Sequence, residues 1–393
     1  MSKTVSRRSL IRGAAAGIAA PFHLVTLEAA GELLPFTDYT EEFRVEAQER
    51  NPRVKTFDLR RLDSWITPAR QFFTFHQASA PTIDVKDWRL SIGGLVAKPM
   101  ALTLEQLKRH PDRRTIPVTF ECAGNSGHAA LMNGLAGNAM WTGVGLDSLL
   151  QECGVKPEAR EVVFLASDME KERKWQAGGK EFTAPHGRSI FVQDALAAGP
   201  ILAFEMNGAP LSAEHGYPLR LILPGWYGMA NVKWLHAIEV IDRRYEGRHM
   251  ARNYHSLRKA GAAGGGIWLD TSISRMNLKS VVARVLRKRS GTQVEHVIHG
   301  AAWSGESPIR TVEVRIDSGP WMEARVDRRE SDAAWLLWSC MWKGAKPGPH
   351  TLVSRAIDTR GAVQPTEEEL RERLASARED NAQWLRTLIV PPY

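Results

Sequence analysis

Cys122 lies in Phe120-Glu121-Cys122-Ala123-Gly124-Asn125, directly after the strand-like run Val118-Thr119-Phe120. A thiolate at a strand end, facing a turn that contains glycine, can ligate a soft metal or act as a nucleophile. Taken alone, such a cysteine is as readily a small buried hydrophobe. Cys153, inside a helical pattern, and Cys340, in a tryptophan-rich strand, read as core packing.

A later stretch changes the balance. Phe204-Glu205-Met206-Asn207-Gly208 leads to His215-Gly216-Tyr217-Pro218-Leu219-Arg220, then Pro224-Gly225-Trp226-Tyr227-Gly228 and Val232-Lys233-Trp234-Leu235. His215, Arg220 and Lys233 surround one predicted strand, Leu219 to Leu223, and the loop after it. Arginine offers a planar fork for phosphate and lysine a point charge. Gly225 and Gly228 let backbone N–H groups approach a ligand closely. The residues alone leave two readings open: an anionic-cofactor cradle or a polar surface loop.

These motifs, in this order, resemble the sulfite oxidase family of molybdopterin enzymes. The resemblance runs from about Phe72 to Pro365, with a later stretch, Ala356 to Pro365, similar to the family's second domain. It implies an α+β molybdopterin domain followed by an immunoglobulin-like β-sandwich. It also implies a molybdenum ion held by the dithiolene of one pterin, with Cys122 as the additional sulfur ligand. By the same pattern His215, Arg220 and Lys233 hold the pterin and its phosphate, Asp168 is a pterin hydrogen-bond partner, and Phe75, His76 and Gln77 occupy the first pterin-contacting segment. Tyr254, in Arg252-Asn253-Tyr254, takes the place of the active-site tyrosine, so Cys122 and Tyr254 are the expected catalytic residues.

Two departures bear on the substrate. Sulfite oxidases carry an arginine where this chain has Phe75, and two more after Cys-Ala-Gly-Asn, where it has Ser126-Gly127-His128. A dianion in a dry pocket needs cations. The cofactor therefore rests on retained residues, whereas sulfite dehydrogenase activity rests on analogy. A sulfoxide or other oxo-compound reductase is the alternative on the same fold. His76, His128 or Tyr254 could assist proton transfer. From other classes, a hydrolase using Cys122 with His128 or His215, or a cofactor-free binding protein, remains to be separated.

The elements that must position these residues follow from local patterns. Thr103-Leu104-Glu105-Gln106 has capping-box spacing, and Asp147 to Cys153 closed by Gly154 reads as a helix. Val162 to Leu165 is a strand candidate. From Val281 onward the apolar period is two: Val281 to Val285, Val294 to Ile298, Val312 to Ile316, Trp335 to Trp338 and Thr351 to Val353 have sandwich spacing. Thr366 to Leu385 reads as a helix. The expected division is a leader at 1–30, a molybdopterin domain at 31–257, a Gly/Ala-rich linker at 258–272, and a dimerisation domain at 273–393 that ends in that helix.

The 393 residues carry 52 Lys+Arg against 44 Asp+Glu, a net +8, with 43% apolar and 24% charged residues. That composition excludes wholesale disorder. The basic residues are scattered, which excludes nucleic acid as a partner, since counterion release needs clustered cations. Three cysteines exclude a disulfide framework, and the chain has no Cys-x-x-Cys-His haem motif. Electrons must then pass to or from an external carrier, a cytochrome or a membrane subunit, with a small oxo-anion or sulfur compound as substrate and a homodimer as the expected assembly. Arg7-Arg8 within Ser6 to Arg12, followed by an apolar Ala/Gly stretch, resembles a twin-arginine export signal, implying a periplasmic protein loaded before export.

Overall fold

The computed structural model describes residues 31–38, 49, 54–76, 79–127, 131–173, 180–197, 199–260, 266–291, 293–327 and 329–392. The export-type segment 1–30, Gln77 and His128 lie outside the described residues. No helix among the described residues is long and apolar enough to cross a membrane.

Two sheets build the first half. One runs Met100–Leu102, Leu90–Gly94, Leu235–Ile241, Glu161–Arg173, Glu181–Phe191, with Leu90–Gly94 and Leu235–Ile241 parallel. The other runs Ala209–Pro210, Ile201–Met206, Ala136–Gly145, Arg113–Glu121, and Arg220–Ile222 pairs with Ile201–Met206. Leu90, Ile92, Val144, Phe164, Leu202, Leu221 and Ile238 meet in one apolar core. The two short helices fall where their caps predict. Leu104–Lys108 has the full Thr103/Gln106 capping box, and Leu146–Cys153 ends on Gly154 at φ +67°, a left-handed turn that glycine adopts without strain. Cys153 and Cys340 are both buried, as core packing requires.

The second half is a β-sandwich. Lys279–Ser290, Gln293–Trp303 and Leu336–Trp342 lie in one sheet; Ile309–Ile316, Gly348–Asp358 and Arg386–Val390 lie in the other. Val282, Ile298, Val312, Val314, Trp338 and Leu352 fill the space between them. The alternation seen in the sequence is the inward face of these strands.

Three expectations about organisation give way. Glu32–Leu34 pairs with Leu286 and its neighbours, and Phe36 bridges to Leu388, so the chain from residue 32 starts in the sandwich and not in the cofactor-type half. The 258–272 segment is no simple linker: His255–Ala260 and Ile267–Ser272 form a hairpin in register from His255↔Ser272 to Ala260↔Ile267. In the sequence the Gly/Ala-rich residues fall between these two strands, with strand formers on both sides. The C-terminal helix covers only Glu367–Arg373 and buries no residue, so no apolar stripe carries it further. Beyond it Leu374–Ala375 joins the hairpin and residues 376–385 run as irregular chain. Side-chain turns hold that run: Arg378 N–H donates to Ser376 Oγ (3.0 Å) and Ala382 N–H to Asp380 Oδ1 (3.0 Å).

Candidate active site

Cys122 follows the last residue of strand Arg113–Glu121. Its N–H donates to Leu135 O (2.9 Å) and its carbonyl accepts from Asn125 N–H (2.9 Å), which closes the turn. Asn125 is buried because it is structural: its Oδ1 accepts from Leu135 N–H (3.0 Å) while its Nδ2 donates to Glu121 Oε1 (3.0 Å). Burial pushes the Cys122 thiol up to about 11, with Glu121 adding to the effect. A hydrolase needs the opposite, a thiol activated by a depressed pKa. A bound cation would reverse this, since a coordinating thiol is deprotonated outright.

Gly216 organises the three cations of the second motif. At φ +103° it ends the turn Ala213–His215, and a Cβ there would stand 3.0 Å from Lys233 Cβ and 3.2 Å from Arg220 Cβ. Only a residue without a side chain lets those two side chains converge beside His215. Gly216→Ala is therefore expected to destabilise the fold by about 1–3 kcal/mol, read as a lower thermal midpoint; an unchanged midpoint would contradict this packing.

Arg220 is buried, and no carboxylate among the described residues bonds to it. Its NH1 donates to His215 O (2.9 Å), its NH2 to Asn231 O (3.1 Å), and Nε has no partner. The guanidinium stacks at 5.0 Å from the Phe120 ring centre and 4.8 Å from that of Trp141. Burial lowers its pKa to about 9, which marks a cation that gains from an incoming anion. Lys233 Nζ donates to Phe75 O (3.2 Å) and Glu214 O (3.2 Å) and lies 2.6 Å from His76 Nδ1. Its pKa is pushed well down by burial and by Arg220. His215 and His76 are each lowered to about 4, chiefly by burial, so both are neutral near pH 7. Asp168 is buried with Oδ1 unpartnered, and burial, then Glu170, raise it to about 6.

All these groups line one cavity. Phe75, His76, Cys122, Asp168, His215, Arg220, Lys233 and Tyr254 surround an open cleft of about 760 Å³, the solvent at its mouth included. The sequence-selected residues thus converge, apart from Gln77 and His128, which lie outside the described residues. The donor set fits a phosphate-bearing heteroaromatic cofactor: an uncompensated buried guanidinium, a second cation, and an orphaned carboxylate oxygen that can accept from ring N–H groups.

Comparison with known proteins agrees with this geometry. Residues 76–249 match the oxidoreductase molybdopterin binding domain, and residues 270–389 match the Mo-co oxidoreductase dimerisation domain. The crystal structure of the sulfane dehydrogenase SoxCD from Paracoccus pantotrophus is similar at 30% identity and TM-score 0.71, covering 86% of this chain and 87% of that one. The chain belongs to the sulfite oxidase family of molybdenum-dependent oxidoreductases. Mitochondrial sulfite oxidase from Drosophila melanogaster is 29% identical over 336 residues, covering 77% of this chain and 56% of the relative. An inducible NADH nitrate reductase from Glycine max is 29% identical over 312 residues, 70% of this chain and 34% of that protein. The chain thus spans about half or less of those curated relatives. As a family member it is an oxidoreductase that uses the molybdenum–molybdopterin cofactor.

Four residues at or near this family site escaped the sequence reading. Arg378, in the irregular run after the last helix, places its guanidinium 4.7 Å from the Tyr254 ring centre, and its charge is felt at Cys122. It is an arginine from the second half of the chain that reaches the cavity region. His186 lines the cavity and stacks on His249 with ring centres 4.4 Å apart; His249 Nε2 lies 3.1 Å from Glu170 Oε1. Ligand atoms of Glu170, His186 and His249 lie within 4.8 Å of one another, yet Glu170 already faces Arg248 at 3.2 Å. Spacing gives no signal for this trio, since the three residues come from different elements.

Proposed function

We propose that this protein oxidises a reduced sulfur centre of low charge, inserting one oxygen atom from water and releasing two protons and two electrons. The supporting observation is the wall of the cleft beside Cys122. Phe75 turns its ring onto the apolar cluster of Phe72, Phe73 and Phe120, and its carbonyl, not a charge, faces Lys233. Where an arginine would help hold a dianion, this wall offers hydrocarbon. Bound molybdenum supplies the oxygen-atom transfer and takes up the electron pair. The chain's own residues do the rest: Arg220, Lys233 and His215 hold the cofactor's anionic end, Asp168 orients its ring, and Arg378 and Tyr254 face the substrate's polar side. The SoxCD relative, a sulfane dehydrogenase by name, makes sulfane sulfur the first substrate class to test.

Sulfite is the second reading, favoured by Arg378 above Tyr254 and by the names of the curated relatives. The test is a panel of sulfane compounds, sulfite, sulfoxides and nitrate assayed with artificial electron carriers in both directions. Low sulfite turnover with higher sulfane turnover is expected; preferential sulfoxide reduction would overturn the proposed direction. Phe75→Arg should raise kcat/KM for sulfite by about tenfold or more, the worth of one hydrogen bond to a charged group. No gain would show that the missing cation is not what limits sulfite use.

A cytochrome or membrane subunit as the physiological electron carrier is part of this proposal, supported by the likeness to the sulfane dehydrogenase SoxCD structure. Pairing of two copies through the dimerisation-type domain is part of the same proposal, supported by the match at residues 270–389. So is a periplasmic setting reached by twin-arginine export, which rests on Arg7-Arg8.

A further inference from the structure

We propose that Glu121 and Lys279 form a charge pair across the two halves of the chain that positions Cys122 and sets the electron richness of its sulfur, a role resting on Cys122 being the molybdenum ligand. Glu121 ends strand Arg113–Glu121, and Lys279 opens strand Lys279–Ser290; each is only 1% exposed. Lys279 Nζ donates to Glu121 Oε1 (2.9 Å) and to Asp380 O (2.6 Å). The carboxylate also accepts from Asn125 Nδ2 on Oε1 (3.0 Å) and from Trp303 Nε1 on Oε2 (2.9 Å). Both oxygens therefore carry donors, two of them from the second half of the chain.

On the other side of Cys122, the Ala123 carbonyl accepts from Glu379 N–H (2.6 Å). The residues before and after the ligand are thus both gripped by the sandwich half, and the same segment places Arg378 over Tyr254. Stability alone does not account for the choice of charges, because a buried ion pair is commonly matched or exceeded by an apolar pair of similar volume. A charge pair one residue from a metal ligand does something apolar packing cannot. In a low-dielectric interior it acts on the metal at short range, and such outer partners tune ligand basicity and geometry. With the pair intact, Lys279 offsets part of the Glu121 charge that is felt at Cys122. Removal of one leaves the other uncompensated.

The test measures the molybdenum midpoint potential of the loaded enzyme, followed by its EPR signal, in wild type, Lys279→Met, Glu121→Gln and the double variant. Loss of Lys279 leaves a bare carboxylate and should lower the potential. Loss of the Glu121 charge leaves a bare ammonium and should raise it. The double variant should lie between the two single variants, and with both charges gone it keeps the test alive if Lys279→Met fails to fold. Potentials that do not move, or that move in the same direction in both single variants, would overturn the inference, since a packing role predicts no sign reversal. Absence of molybdenum from the wild type would instead overturn the assignment of Cys122 as ligand, and this inference with it.

Discussion

Cys122→Ser should give a folded chain whose turnover falls by more than about 100-fold, beyond the loss typical when an outer partner of a metal ligand is removed. The fold survives because the turn is held by the Cys122 backbone and the Asn125 side chain, not by the sulfur. The chemistry fails because serine offers a hard oxygen where a redox-active metal is matched to soft sulfur. Burial also pushes the bare thiol up to about 11, the opposite of the depressed pKa that an activated hydrolase thiol has. Assay of turnover beside a thermal melt separates the two effects; undiminished activity would remove Cys122 from the mechanism.

Arg220→Met should cut cofactor retention by about 10–100-fold, the worth of one or two hydrogen bonds to an ionised group. Methionine keeps much of the stacked volume between Phe120 and Trp141 but offers no donor to an anion. For the cofactor-free chain two effects oppose. The carbonyls of His215 and Asn231 lose their donors, while a buried, uncompensated guanidinium is removed. Each is worth a few kcal/mol, so the melting temperature of the empty chain should shift little while molybdenum and pterin content collapse. Equal loss of stability and content would mean that Arg220 is only a structural brace.

Legibility from sequence differs sharply between these residues and those missed. Cys122, His215, Arg220 and Lys233 sit in short motifs whose glycines and asparagines fix the local backbone, so the pattern in one dimension reports the site in three. Gly216 and Asn125 are examples: one draws the cations together, the other closes the cysteine turn. Arg378 had no such mark. Its neighbourhood, Glu367 to Asp380, is rich in charges at spacings a solvated helix would also show, and the contact with Tyr254 depends on the chain leaving the helix after Arg373. The absence of an apolar period there, with Ser376 and Asp380 as turn formers, was the available signal. The hairpin strands His255–Ala260 and Ile267–Ser272 were hidden for a related reason: the Gly/Ala-rich sequence between them resembles a linker until they are seen to pair. Glu121 and Lys279, 158 residues apart, meet only because the sandwich packs against the end of the cysteine strand.

The division of labour between the two halves also changes. The sandwich is more than a dimerisation module, since it supplies Arg378 beside Tyr254, Lys279 and Trp303 behind Glu121, and the Glu379 N–H on Ala123. A truncation before residue 270 would therefore remove part of the site along with the second domain.

The proposed function requires molybdenum in this cleft with Cys122 as a ligand. Molybdenum X-ray absorption on natively expressed protein tests it most directly, by counting sulfur neighbours in wild type and in Cys122→Ser. Two dithiolene sulfurs plus a third are expected in wild type, with loss of that third in the variant. The same sulfur count in both proteins, or a wild-type protein without molybdenum, would contradict it.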